Sequence, residues 1–307
     1  MSVEQLENLV ALIRSGPPLG SGDVAGMRAA AEGMGQLLPI DPEVSFSPVD
    51  AGSVPAEWAD APGVDGAHVL LYLHGGGYVS GSIPAYRSLA ARLSRAAKAR
   101  VLLVDYRLAP EHPFPAAVDD AVAAYEWLLA RGFLAKHIAV VGDSAGGGLA
   151  AALLLSLRDN LLPTPLAGVL ISPMVDLEAT GETMTTKAAE DPMVQRENVF
   201  LCAQRYLGGA DPRTPLASPL HGDLSGLPPL LIQVGTAECL LDDARRLAER
   251  ARAAGVNVTL EPWDRMIHVW HLFAPMLDEG QQAIDRIGAF LGQLYSRAAQ
   301  RREAVAS

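Results

Sequence analysis

The chain is poor in cysteine, poor in positive charge and without a long apolar run. Two cysteines, Cys202 and Cys239, in 307 residues are too few for a disulfide framework and lack the paired spacing of a metal cage. A reducing, cytoplasmic setting is the expectation. No uninterrupted apolar stretch approaches the ~20 residues of a bilayer span. Met1-Ser2-Val3-Glu4-Gln5-Leu6-Glu7-Asn8 has no basic region ahead of an apolar one, so neither membrane insertion nor a secretory leader is expected. Lysine and arginine total 24 against 35 aspartates and glutamates, a formal charge of −11, and the acids are scattered. That balance argues against nucleic acid or an anionic membrane as partner. Internal repeats and low-complexity segments are also missing.

What is present is apolar: 50% of the residues, ample for one large α/β domain with an added lid. Helical spacing runs from about Val3 to Arg14, with Leu6, Leu9, Val10 and Ile13 on one face. A second helix is predicted from Ser21, as N-cap ahead of Asp23, to Leu38. Strand character begins near Val44. Apolar runs then predict buried strands over 69–73, 101–105, 138–141, 168–172 and 230–234, and a last strand is expected over 256–261. Helices are expected over about 86–97, from the proline-rich loop at 106–115 to near Gly132, after Ser144, over 242–254 and over about 275–304. Strands alternating with helices predict a mostly parallel sheet covered on both faces. The stretch from Met174 to Pro219 is too long for a simple connection and reads as a functional lid.

The chemistry centres on Gly142-Asp143-Ser144-Ala145-Gly146, placed between a strand and a small-residue helix. Such a turn holds its serine in a strained conformation with the hydroxyl exposed, and the glycines let strand and helix pass closely. A serine hydroxyl is a poor nucleophile alone, so a base, an acid and oxyanion donors are required. His74-Gly75-Gly76-Gly77 follows a buried strand, where backbone N–H groups can converge because no Cβ intervenes. The donors would be Gly76, Gly77 and Ala145. No Gly-Lys-Ser/Thr follows, which argues against a phosphate loop.

Of the seven histidines, only those after the nucleophile and the acid suit the chain order of this turn. His268, beyond the last strand, is the candidate base; His271, one helical turn on, is the alternative and is expected to pack or cap. For the acid, Glu238 lies nearest the end of the strand at 230–234. Asp242 is the reserve, although capping explains it and Asp243 at a helix start.

With His74-Gly75-Gly76-Gly77, Gly142-Asp143-Ser144-Ala145-Gly146-Gly147 and Met266-Ile267-His268 in view, the chain resembles bacterial esterases of the hormone-sensitive-lipase-like family of α/β-hydrolases. Tyr106-Arg107-Leu108-Ala109-Pro110-Glu111-His112-Pro113-Phe114-Pro115-Ala116-Ala117 matches a further family segment. One departure stands out: the family's Asp-Pro-Leu-x-Asp motif here reads Glu238-Cys239-Leu240-Leu241-Asp242. The resemblance implies an α/β-hydrolase fold with a helical cap. Residues 1–48 would form an N-terminal cap element, and 49–307 the catalytic domain with a cap segment inserted at about 174–219.

The implied activity is hydrolysis of short- to medium-chain carboxylic esters by Ser144, His268 and Glu238 through an acyl-enzyme, with no cofactor and no metal. Lactones, arylformamides and acetyl esters of sugars or phenols would use the same machinery. A ligand-binding receptor on the same fold is the rival of a different class. Tyr78, Ser80, Met174 and Val175 are the substrate-contact candidates, core packing being the alternative for each. Arg107 and Glu111 are expected to brace the loop beneath the site, and Asp143 to act as a supporting hydrogen-bonding group. A homodimer through the sheet edge near the C-terminus is also implied.

Overall fold

The computed structural model describes residues 2–16, 22–64 and 66–306. Eight strands form one sheet: β1 (Ser45–Asp50), β2 (Pro55–Asp60), β3 (Val69–Leu73), β4 (Arg100–Val104), β5 (Ile138–Asp143), β6 (Ala167–Ile171), β7 (Leu230–Gly235) and β8 (Val258–Trp263). Their order across the sheet is β1-β2-β4-β3-β5-β6-β7-β8. β1, β2 and β4 pair antiparallel, and every pairing from β4 to β8 is parallel. The proposed boundary at residue 48 therefore needs correction, because it cuts β1 in the middle.

β2 has no counterpart among the predicted strands. Pro55 opens it and Glu57 interrupts its apolar pattern, yet Glu57 is buried. Arg87 from a distant helix neutralises that carboxylate with bonds of 2.7 and 2.8 Å. A partner so far along the chain is invisible to local pattern.

Helices α3 (Ile83–Ala97) and α9 (Asp278–Ala306) lie on one side of the sheet; α4 (Ala116–Ala130), α5 (Ala145–Asp159) and α8 (Leu241–Ala253) lie on the other. The alternation of strand side chains divides the core accordingly. In β3, Val69, Leu71 and Leu73 face the α5 side, while Leu70 and Tyr72 face α3. Because both faces are covered, the central strands read as unbroken apolar runs.

Two further segments pack over the C-terminal ends of the parallel strands. α1 (Val3–Ser15) and α2 (Val24–Gln36) form the first. α1 buries Leu6 and Leu9 in a cluster with Met266, Ile267, Trp270 and Phe273, the loop that carries His268. α2 is capped by Asp23, whose side chain accepts the Gly26 N–H at 2.7 Å; the predicted cap, Ser21, lies outside the described residues. The second is the stretch from 174 to 219, which contains α6 (Thr183–Thr186) and α7 (Arg196–Leu207). Among the described residues no helix is long and apolar enough to cross a membrane.

Candidate active site

Ser144 stands between β5 and α5 with φ 53° and ψ −122°. A non-glycine residue held there is strained, and the surroundings must over-determine it. They do: its N–H donates to Ile171 at 2.8 Å, and its carbonyl accepts from Met174 at 2.9 Å and Gly148 at 3.1 Å. A Cβ on Gly142 would collide with the Gly146 carbonyl, and one on Gly146 with the carbonyls of Leu73 and His74. Strand, turn and helix can approach this closely only with hydrogen at both positions.

The Ser144 hydroxyl lies 2.9 Å from His268 Nε2, and His268 Nδ1 lies 3.0 Å from Glu238 Oε2. An ionised carboxylate only accepts, so the Nδ1 proton points to Glu238 and Nε2 is left to accept from the serine. Glu238 is fully buried and His268 nearly so. Burial presses the imidazole toward its neutral form. The hydrogen bond and charge of Glu238, with the charges of Asp191 and Asp143, outweigh that and leave its pKa raised. Burial also raises Glu238, against the opposing pull of His268 and the Gly235 N–H.

Glu238, and not Asp242, meets the imidazole. Asp242 sits in the first turn of α8 and accepts the Thr183 N–H at 3.1 Å. His271 is buried and joined to Gln233 Oε1 at 2.7 Å, and burial pushes its pKa down to about 3. It packs as a neutral core residue.

The loop after β3 turns at Gly76 (φ 118°) and Gly77 (φ 65°). Among the described residues, the N–H groups of Gly76, Gly77 and Ala145 have no hydrogen-bond partner. Asp143 anchors this loop. Its Oδ1 accepts from Tyr72 at 2.6 Å and from the Gly75 N–H at 2.9 Å, and its Oδ2 from Tyr86 at 2.9 Å. Burial lifts the carboxyl to about 6 despite these donors. Arg107 grips Asp120 with bonds of 2.7 to 3.0 Å. Glu111 pairs with Arg28 of α2, which also donates to the Val79 carbonyl at 2.9 Å.

Ser144 and His268 open on a cavity of about 170 Å³. Its walls include Met27, Met34 and Leu38 from the N-terminal segment, Met193, Val199 and Cys202 from the 174–219 stretch, and Gly76 and Gly77. Of the four substrate-contact candidates, Ser80 and Met174 line it. Tyr78 and Val175 do not, and those two assignments are corrected. Tyr78, at φ 63°, is buried in a parallel stack on Tyr206 with ring centres 3.7 Å apart. Val175 is fully buried, its N–H bonded to Asp243 at 2.9 Å. The N-terminal cap element implied by the resemblance supplies the α2 wall, but its individual residues and Cys202 are not among the substrate-contact candidates, although Met27, Ala31 and Met34 carry a helical spacing that marks them.

A family model for the alpha/beta hydrolase fold matches residues 70–272. An acetyl-hydrolase of Streptomyces hygroscopicus is 52% identical over 243 residues, covering 79% of this chain and 81% of that protein. The crystal structure of an esterase from the bacterial hormone-sensitive lipase family superposes with a TM-score of 0.92 at 52% identity, over 95% of this chain and 98% of that one. The crystal structure of EstE5 soaked with p-nitrophenyl butyrate superposes with a TM-score of 0.91 at 47% identity, over 95% and 99% of the two chains.

Proposed function

This chain belongs to the α/β-hydrolase-fold family, among the hormone-sensitive-lipase-like bacterial esterases, and on that premise we propose that it is a serine carboxylesterase for short- to medium-chain acyl esters. The observation that carries the reading is the unbroken contact from Ser144 Oγ through the His268 ring to Glu238 at the edge of an apolar cavity. Ser144 Oγ attacks the ester carbonyl carbon as His268 Nε2 takes its proton, giving a tetrahedral oxyanion. The N–H groups of Gly76, Gly77 and Ala145 receive that charge, and Glu238 stabilises the imidazolium. His268 then returns the proton to the departing alcohol oxygen as the C–O bond breaks. Water, deprotonated by His268, attacks the acyl-serine carbonyl carbon, and His268 gives that proton to Ser144 Oγ as the C–Oγ bond breaks and the acid is released.

In the same reading, α1 and α2 and the 174–219 stretch act as a cap, with α2 and the 174–219 stretch walling the acyl cavity. A homodimer through the outer edge of β8 and a cytoplasmic location belong to the proposal as well. The first is supported by the edge position of β8, the second by two unpaired cysteines.

The test is hydrolysis of p-nitrophenyl esters from acetate to palmitate by wild type, Ser144→Ala, Glu238→Ala and Asp242→Ala. Activity should peak at short chains and disappear in Ser144→Ala. It should fall by about 10³-fold or more in Glu238→Ala, as for loss of a triad acid, and stay near wild type in Asp242→Ala. A folded wild type that cleaves none of these esters would refute the esterase reading and favour the receptor.

A further inference from the structure

We propose that Ser172, which follows β6, is a positioning residue that aims the Glu238 carboxylate and ties it to the loop of the base. The proposal rests on Glu238 and His268 serving as acid and base. The Ser172 hydroxyl donates to Glu238 Oε1 at 2.7 Å and accepts the Val269 N–H at 3.1 Å. One hydroxyl therefore joins the acid to the residue next to His268, using its single proton and a lone pair.

The need for it follows from the choice of glutamate. Glutamate has one more torsion than aspartate, and its terminal torsion is broad and roughly two-fold rather than sharply staggered. A carboxylate with one oxygen on an imidazole and the other free would turn about that bond. Here Oε1 is held by two donors, the Ser172 hydroxyl and the Gly235 N–H at 2.6 Å, so Oε2 is left facing Nδ1. Gly235 belongs to the same strand end as Glu238 and shifts with it. Ser172 comes from the neighbouring strand and supplies an independent reference point.

The backbone supports this reading. Ser172 has φ 45° and is fully buried, a conformation that needs outside support in any residue with a Cβ. Its N–H supplies that by donating to the Gln233 carbonyl of β7 at 2.7 Å. The strain delivers the hydroxyl into the gap between the acid and base loops.

The experiment measures kcat and KM for p-nitrophenyl butyrate, with thermal unfolding midpoints, in wild type, Ser172→Ala, Ser172→Gly, Glu238→Gln and Ser172→Ala/Glu238→Gln. Glycine suits φ 45° and guards against loss of activity through misfolding. Both Ser172 variants should lose about 10-fold or more in kcat with KM changed less than about two-fold, as expected for misaligned groups that act in the transition state. The double variant should fall within about two-fold of Glu238→Gln alone, because the hydroxyl acts through the carboxylate. Wild-type kcat in Ser172→Ala and Ser172→Gly, or losses that multiply in the double variant, would overturn the proposal and leave the triad reading standing. Unchanged turnover in Glu238→Gln would overturn the triad reading itself.

Discussion

Removing the Asp143 carboxylate would leave Tyr72, Tyr86 and the Gly75 N–H without their common acceptor. All three lie in the buried floor beneath the glycine loop, where unpaired donors are costly. Gly75 would be free to shift, and the N–H groups of Gly76 and Gly77 with it. Asp143→Ala is therefore expected to lower kcat by about 10²-fold, the scale for a misplacement of roughly 1 Å in positioned groups. Asp143→Asn keeps an oxygen for Gly75 and Tyr72 and offers an N–H that the Tyr86 oxygen can accept, so it should lose less than about ten-fold. Steady-state kinetics of both variants on one short ester decides the matter; equal losses would count against an anchoring role. Asp143 was foreseen as a support because it adjoins the serine in a motif with few conformations. Ser144, His268 and Glu238 were legible for a related reason: chain order and strand ends fix where their backbones can be. Tyr78 and Val175 were not, since beyond a strand end the backbone turns set where a side chain points: Tyr78 is turned by a φ of 63°, and the Val175 backbone is held by Asp243 from α8.

At the scale of elements, the 174–219 stretch stands out in the sequence by its length, but its contacts are not legible there. Asp191 within it accepts the Met193 and Val194 N–H groups at 2.9 Å and the Cys239 N–H at 2.8 Å. One carboxylate thus fixes a cavity wall and the residue that follows Glu238. It is also one of the charges that raise the His268 pKa. Replacing it by asparagine removes a negative charge that favours the imidazolium, so the imidazole deprotonates at lower pH. The acid limb of kcat/KM, which follows the free enzyme's base, should begin above the ordinary imidazole value in wild type and move to lower pH in Asp191→Asn. KM should rise as Met193 and Val194 loosen. A pH–rate profile of both proteins checks the sign; a limb that stays in place would remove Asp191 from the electrostatics of the site. β2 was missed at this same scale, because its buried Glu57 is made tolerable by Arg87 from α3.

Across the whole molecule, buried ionisable groups pull stability in opposite directions as pH changes. His74 and His271 are held neutral by burial, with pKa values of about 4 and about 3, so their contribution is lost as pH falls below the ordinary imidazole range. Asp243 works the other way. Its Oδ2 accepts the N–H groups of Val175 and Asp176 at 2.9 and 3.0 Å, while its Oδ1 is buried without a partner. Burial lifts its carboxyl from 3.8 to about 7, and the nearby Asp176 adds to the rise against the pull of the backbone N–H groups and Arg246. A folded pKa above the unfolded one means stability that is complete below about pH 4 and is lost as pH climbs through about 7. Asparagine keeps the acceptor for both N–H groups and cannot ionise. The unfolding midpoint of Asp243→Asn, measured relative to wild type by calorimetry, should therefore rise steadily between about pH 4 and about pH 7 and level off above. Its ester hydrolysis should retain the wild-type acid limb, because Asp243 touches neither His268 nor Glu238. A midpoint difference that does not vary with pH would mean that Asp243 carries the same charge, or none, in the folded and unfolded chain.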